Sequence, residues 1–156
     1  MIRRERSRGT PPTPNTLADL TIEGEWACTN QDGERFMIYD NGVDAASRII
    51  IFGSRIALEK LASATTWFMD GNFAMAPQPG FLQMYIIRVP IGTTAITTVF
   101  ALLQSKSQNA YEELFQAIMD YCESIDLFLA PTTVLCDFEL AVIRAVSDVF
   151  GNDVTI

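Results

Sequence analysis

Histidine is absent from the 156-residue sequence, and cysteine is scarce. The three cysteines, Cys28, Cys122 and Cys136, are odd in number and far apart along the chain. A structural zinc site needs four nitrogen or sulfur ligands, so no complete zinc site can be built from these residues. Widely spaced cysteines are typical of reduced thiols packed as small apolar side chains, which predicts an intracellular protein rather than a secreted one.

Long hydrophobic runs are also missing. The uncharged run Val89–Leu103 contains Pro90 and Gly92 and is too short to cross a bilayer. The arginines near the amino terminus have no apolar segment behind them, so they do not form a signal peptide. The sequence therefore predicts no membrane span and no membrane partner.

Basic residues are few outside the amino terminus. The net charge is −8, and four of the eleven basic residues, Arg3, Arg4, Arg6 and Arg8, lie within the first eight positions. The rest of the chain is therefore strongly acidic and cannot hold a phosphate backbone by general attraction. Any contact with nucleic acid must come from a local basic patch, a metal ion or another part of a longer protein.

The chain divides into three predicted segments. Residues 1–16 combine Arg, Pro, Thr and Gly with almost nothing to bury, which predicts a disordered tail. Residues 17–64 predict a small α+β leader, which ends in a short helix capped by Ser54. Its β-prone stretches are Trp26–Thr29, Arg35–Tyr39 and Arg48–Phe52.

Residues 65–156 predict a regular α/β pattern. Three strands come first and are joined by short links, which favours an antiparallel meander. They cover Thr66–Met75, Phe81–Val89 and Ala95–Leu103. An amphipathic helix over Asn109–Ser124 follows, with Asn109 as its cap.

A fourth strand, Thr132–Cys136, is apolar enough to be buried on both faces. It leads into a second helix that runs to Gly151 with Phe138 facing inward, and Asp153–Ile156 begins a fifth strand. A right-handed crossover through the first helix returns the chain beside the first strand. We therefore expect Thr66–Met75 to lie between Phe81–Val89 and Thr132–Cys136.

Two acidic residues are associated with apolar strands, Asp70 in WFMDGNF and Asp137 in VLCDFELA. Carboxylates in such a setting are costly unless cations or hydrogen bonds compensate them. On adjacent strands, two carboxylates can clamp a divalent metal, and nucleases use metal ions to stabilise the attacking and leaving oxygens of a phosphodiester. The pattern leaves another interpretation open, in which Asp70-Gly71 forms a hairpin turn and Asp137 caps a helix.

Three stretches, in order, resemble the transposase domain of Mutator-like elements (MULE). They are WFMDGNFAMAP, ALLQSKSQNAYEELF and VLCDFELAVIRAV. The leader is similar to the region before that domain in versions fused to FLYWCH zinc modules, although the zinc ligands of such a module are absent. The resemblance covers roughly residues 20–156. It implies an α/β fold of the RNase H-like (retroviral integrase) class with a mixed sheet, truncated at the carboxy terminus.

The resemblance also implies roles for individual residues. Asp70 and Asp137 would be the first two acids of a DDE triad that binds Mg²⁺ or Mn²⁺ for cleavage and transfer of DNA strands. Glu139 would act near the helix start or beside the metal rather than as a ligand, and Lys106 would be a solvated loop charge. Tyr111 and Trp67, which also match family positions, would belong to the core. The implied partner is DNA at transposon ends, the implied location is the nucleus, and a homo-oligomer stays open.

By the resemblance, the third acid of the family and the Cys/His pattern before it would lie beyond Ile156. We therefore expect the chain by itself to cleave no DNA with either metal. Two other functions remain open at this point. One is a domesticated or decayed transposase remnant that binds DNA or protein without catalysis, and the other is an unrelated α/β binding domain.

Overall fold

A six-stranded mixed sheet organises residues 10–156, the part of the chain that the computed structural model describes. Its strands are β1 (Met37–Asp40), β2 (Ile49–Phe52), β3 (Thr66–Asn72), β4 (Gln83–Ile91), β5 (Thr94–Leu103) and β6 (Thr133–Leu135). The helices are α1 (Arg55–Ser63), α2 (Gln108–Ser124) and α3 (Leu140–Phe150). Two short 3-10 helices, Leu17–Asp19 and Gly24–Ala27, precede the sheet. The predicted tail arginines lie outside the described residues.

The order of strands across the sheet is β1-β2-β5-β4-β3-β6. Strands β3, β4 and β5 form the expected antiparallel meander, and β6 pairs in parallel with β3 after the crossover through α2. Strand β3 therefore lies between β4 and β6, which confirms the predicted neighbours. No helix in residues 10–156 is long and apolar enough to span a membrane.

The core lies between one face of the sheet and the helices. Trp67 of β3 and Tyr85 of β4 are buried on this face. The ring of Phe150 in α3 meets Trp67 edge-on at 5.3 Å between centroids, and Tyr111 in α2 lies 5.2 Å from Tyr85. Burial of Trp67 and Tyr111 agrees with the prediction that both belong to the core.

The segment predicted as a leader contributes two strands to the same sheet. Strand β2 pairs antiparallel with β5, and β1 pairs with β2 at the edge. The predicted strand at Trp26–Thr29 is wrong. It forms the 3-10 helix Gly24–Ala27 and a single bridge between Cys28 and Arg35. One bridging residue cannot supply the ladder that a strand needs.

The helix ends differ from the prediction at two places. Helix α2 is capped by Ser107, whose Oγ accepts a hydrogen bond from the Ala110 N–H, so Asn109 lies inside the first turn. Helix α3 begins at Leu140, and Phe138 before it is fully exposed instead of facing inward. Ser54 caps α1 as expected.

The carboxy-terminal strands are shorter and more open than predicted. Leu135 of β6 is 49% exposed, so this strand is not buried on both faces. Thr155 makes one parallel bridge with Thr133, in the segment expected to begin a fifth strand. Gly151 ends α3 with a φ of 94°, in agreement with its predicted role as a cap.

Candidate functional site

Asp70 and Asp137 are brought to one place by the parallel pairing of β3 with β6. The register pairs Thr66 with Thr133 and Phe68 with Leu135. Strand β6 ends at Leu135, two residues before Asp137, while Asp70 lies in β3 two residues after Phe68. Both residues line one small cleft.

The cleft has a volume of about 30 Å³. Since about 10–15 Å³ of such space holds a water molecule, it has room for one or two species of that size. Strands β3 and β4 and the link between β6 and α3 supply its walls. The lining residues are Met69, Asp70, Gly71, Phe73, Gln83, Tyr85, Asp137, Glu139 and Val142.

Neither aspartate has a side-chain partner among residues 10–156 that would explain it as a structural residue. Both are exposed, and within residues 10–156 neither side chain makes a hydrogen bond or an ion pair. Asp137 does not cap α3, because the cap residue is Glu139 and no side chain caps that end. The turn-and-cap interpretation is therefore wrong for both residues.

Gly71 is part of β3, where it pairs with Tyr85, and is not a hairpin turn. A Cβ at this position would overlap the side-chain oxygen of Gln83. Gln83 is almost fully buried, so its amide has little freedom to move aside. The glycine after Asp70 thus makes room for the Gln83 amide behind the cleft.

A directed chain of hydrogen bonds runs from Gln83 to Glu139. The Gln83 Nε2 donates to the Tyr111 Oη at 2.8 Å, and the Tyr111 hydroxyl donates to the Glu139 Oε2 at 3.4 Å. A tight backbone turn, in which the Glu139 N–H donates to the Asp137 carbonyl at 2.6 Å, returns Glu139 towards the cleft. Glu139 therefore joins the two aspartates there.

The carboxylates of the cleft contribute to the raised pKa values of a buried hydroxyl and a thiol near them. Burial raises the pKa of Tyr85 well above its usual value, and the charges of Glu139 and Asp70 raise it further. Burial also raises the pKa of Cys136, with smaller contributions from Asp137 and Glu139. The raised pKa values keep the Tyr85 hydroxyl and the Cys136 thiol protonated at neutral pH, while the side chains of Asp70 and Asp137 are exposed.

Lys106 lies beside this cleft, because it contacts Phe73, one of the residues that line it. Its Nζ is 5.7 Å from the centre of the Phe73 ring, and both side chains are exposed. Cations are attracted to the face of an aromatic ring at this range. Lys106 is therefore exposed to solvent, as predicted, and it also lies next to the candidate site.

Gln83, Tyr85 and Phe73 are site residues that the sequence interpretation missed. Alternation along β4 contained a usable signal, because Gln83 is a polar residue among inward positions that are otherwise hydrophobic. Buried polar residues need hydrogen-bond partners and often mark a site. Phe73 gave no such signal.

The sheet and the cleft together define an α/β domain in which two aspartates, without a side-chain partner in residues 10–156, line a cleft beside the parallel pair of β3 and β6. A family model for the MULE transposase domain matches residues 66–155, which run from β3 to the bridge at Thr155. This match covers more than half of the chain, and the protein therefore belongs to the MULE transposase domain family. No curated protein and no solved structure matches the chain.

Proposed function

We propose that the cleft binds a divalent metal ion, Mg²⁺ or Mn²⁺, with Asp70 and Asp137 as ligands. In this proposal they are the first two acids of a DDE transposase site, and the sheet is the RNase H-like core of that enzyme. The observation that carries the proposal is the pair of carboxylates on one cleft, without a side-chain partner in residues 10–156, one from β3 and one from the link that follows β6. Two like charges so placed repel each other unless a cation lies between them.

The ligand chemistry fits these ions. The cleft offers carboxylate oxygens, and hard cations such as Mg²⁺ are usually held by one or two carboxylates while they keep several waters. Within residues 10–156 no group of three or more His, Cys, Asp or Glu side chains is arranged to hold a metal directly. A site with two protein carboxylates and a partly retained water shell agrees with both points.

The family implies DNA as the substrate, and the chain must attract it locally. The overall charge of −8 opposes a phosphate backbone, so a cation bound between the aspartates would supply positive charge where it is needed. Lys106 adds a second positive charge beside the cleft. When bound, the metal would activate water and then a strand 3′-hydroxyl for attack on a phosphodiester. Work of this kind on DNA would place the protein in the nucleus.

Metal binding tests this proposal directly. We expect Mn²⁺ titration, followed by electron paramagnetic resonance, to detect a site that weakens at least about tenfold in Asp70→Asn and in Asp137→Asn. Each change keeps the shape of the side chain and removes its charge. Asp153→Asn is the matched control, because Asp153 is an exposed aspartate of the same matched segment and does not line the cleft.

Two results with these variants would contradict the proposal. Mn²⁺ binding that survives unchanged in both Asp70→Asn and Asp137→Asn would remove the cleft as a metal site. Loss of binding in Asp153→Asn to the same degree would show that only general acidity attracts the ion.

A further inference from the structure

Strand direction brings three loops to the end of the sheet where the cleft lies. Strand β4 is antiparallel to both β3 and β5, and β6 is parallel to β3, so β3, β5 and β6 all run in one direction. The residues that follow these strands therefore emerge at the same end of the sheet. Phe73 follows β3, Lys106 follows β5 and Phe138 follows β6. Loops that a rigid sheet positions in this way often contain binding residues.

The cleft has exposed aromatic rings at its margin. Phe138 is fully exposed and Phe73 is 52% exposed. Three further large apolar side chains in or beside the same two loops are also exposed, and they are Met75, Leu135 and Leu140. Single exposed apolar residues are normal on a protein surface, but a group of them marks a binding site. Phe73 lines the cleft, and so do the two chain neighbours of Phe138.

A positive charge accompanies these rings. The Lys106 Nζ lies 5.7 Å from the centre of the Phe73 ring, and within residues 10–156 it makes no hydrogen bond or ion pair. Such an ammonium group is available to a phosphate. A protein partner that covered the rings would instead take the water from Lys106, which is costly for an unpaired charge. Proteins that bind single-stranded nucleic acid combine positive charge for the backbone with aromatic rings on which bases stack.

We propose that Phe73 and Phe138 stack on unpaired bases of a DNA strand that reaches the cleft, and that Lys106 binds a phosphate of the same strand. This inference rests on the proposed function and adds the form of the DNA. A base inside a duplex is covered by its neighbours on both faces, so only an unpaired base can lie against an exposed ring. Because every base has such a face, the rings would hold the strand without reading its sequence.

Binding of a short labelled oligothymidine tests the role of the rings. We expect fluorescence anisotropy, measured at low salt with Mn²⁺ present, to show tighter binding of this strand than of a blunt duplex of equal length. Phe73→Ala and Phe138→Ala should each weaken binding of the strand at least about fivefold, the lower end of the effect of losing one stacked base. Phe128→Ala is the matched control and should bind normally. Phe128 is also exposed, but it precedes β6 and so lies at the opposite end of that strand.

A tryptophan variant reports the contact itself. Phe138→Trp keeps an aromatic ring at this position, so it should bind the oligothymidine at least as tightly as the wild type. Its indole emission should be quenched when the strand is added, because a base stacked on the indole quenches it. Phe128→Trp contains the same two native tryptophans as background and should show no such quenching. A ring that is exposed without contacting DNA would give equal emission changes in the two variants.

The salt dependence of binding tests Lys106. Loss of one phosphate contact on a single strand should reduce the slope of log affinity against log salt concentration by about 0.7. We expect this reduction in Lys106→Gln and an unchanged slope in Lys60→Gln. Lys60 is also exposed, but it lies beside Pro90 and Ile91 at the end of β4, which runs opposite to β3.

The outcomes separate this inference from the proposed function. Mn²⁺ binding should stay normal in Phe73→Ala and Phe138→Ala, because a phenylalanine ring offers no ligand to the ion. If the wild type bound no oligothymidine, or if both alanine variants bound it normally, the inference would be overturned, although the metal site would stand wherever Mn²⁺ still required Asp70 and Asp137. A wild-type dimer that Phe138→Ala dissociates would assign the rings to a contact between copies and would also overturn the inference. Mn²⁺ binding that needs neither aspartate would overturn the proposed function.

Discussion

At the scale of single residues, a buried ion pair links the amino-terminal segment to the sheet. The guanidinium of Arg48 contacts both carboxylate oxygens of Asp40, at 3.1 Å from Nε and 2.8 Å from Nη2. Its third nitrogen donates to the carbonyl of Leu17 in the first 3-10 helix. Because Arg48 is almost fully buried, each of these hydrogen bonds compensates a charge that water cannot reach.

This pair predicts a pH-dependent part of the stability. Burial acts to raise the pKa of Asp40, but hydrogen bonds from Arg48 and the Gly42 N–H, together with the Arg48 charge, outweigh it and leave the pKa below its usual value. A lowered pKa in the folded state stabilises the fold above the unfolded value of about 3.9, and this stabilisation is lost as the pH falls through the folded pKa. We expect Asp40→Asn to lower the free energy of unfolding by about 2–4 kcal/mol at neutral pH.

Urea denaturation between pH 7 and pH 3 measures this effect. The difference between the wild type and Asp40→Asn should shrink below about pH 4, where the wild-type carboxyl also becomes neutral. Glu59→Gln in the exposed Arg55–Glu59 pair is the control, and it should change stability by less than about 1 kcal/mol. A constant difference across the pH range would contradict the account.

Gly71 illustrates a limit of prediction from sequence at this scale. An Asp-Gly pair beside apolar residues is typical of a hairpin turn, and nothing within a few residues of it suggests otherwise. The reason for the glycine is the side chain of Gln83, which lies on the next strand. A contact between strands cannot be inferred from a local pattern. Asp70 was a candidate from the sequence alone, and it lines the cleft with Asp137.

At the scale of elements, the start of α2 makes the clearest prediction. Ser107 has an extended backbone and its Oγ accepts the Ala110 N–H, while Asn109 lies in the first turn and is exposed. Loss of an N-cap costs about 1 kcal/mol, whereas most exposed substitutions change stability by less than about 0.5 kcal/mol. We expect Ser107→Ala to lower the free energy of unfolding by about 1 kcal/mol and Asn109→Ala to have little effect. Urea titration of the two variants would contradict this if Asn109→Ala were the more destabilising.

The strands were predictable where their pattern was long. Alternation over β4 and β5 gave their positions to within a few residues, and the crossover rule gave the place of β6 beside β3. The interpretation failed at Leu135, because a short apolar run cannot reveal which face of a three-residue edge strand is covered. It failed at Trp26–Thr29 for a related reason, since β-prone residues form a strand only where a partner strand is available.

At the scale of the whole molecule, the candidate site depends on pairing between distant parts of the chain. Asp70 lies in β3 and Asp137 two residues after β6, and they line one cleft because β6 returns beside β3. That meeting was predictable, since the handedness and length of the crossover leave few alternatives. The contact of Tyr111 with Tyr85 and Gln83 at the cleft was not predictable, because it depends on how α2 packs on the sheet.

The family match begins at Thr66, but the folded unit does not. Strand β2 pairs with β5, and its residues Ile49, Ile50 and Ile51 are fully buried. Full burial of one isoleucine contributes about 1.5–3 kcal/mol, so the three together contribute roughly 5–9 kcal/mol. That amount is comparable with the entire net stability of a typical domain, about 5–15 kcal/mol.

We therefore expect a fragment of residues 66–155 to lack a cooperative unfolding transition, although it contains both aspartates and the whole family match. Without β2, the hydrogen-bonding edge of β5 and the inward side chains of β4 and β5 would be open to water, which favours aggregation over a unique fold. A second fragment, residues 30–156, is the matched comparison, because it retains β1, β2 and α1 and loses the amino-terminal segment, including the contact of Leu17 with Arg48 and the bridge between Cys28 and Arg35. It should unfold cooperatively at a lower urea concentration than the full chain.

Circular dichroism and tryptophan fluorescence, followed together during urea titration, measure the unfolding of both fragments. Both fragments contain Trp67. A single coincident transition in the 66–155 fragment, at the same urea midpoint as the full chain, would contradict this expectation. It would show that the matched segment folds independently and that β1 and β2 are not required for its stability.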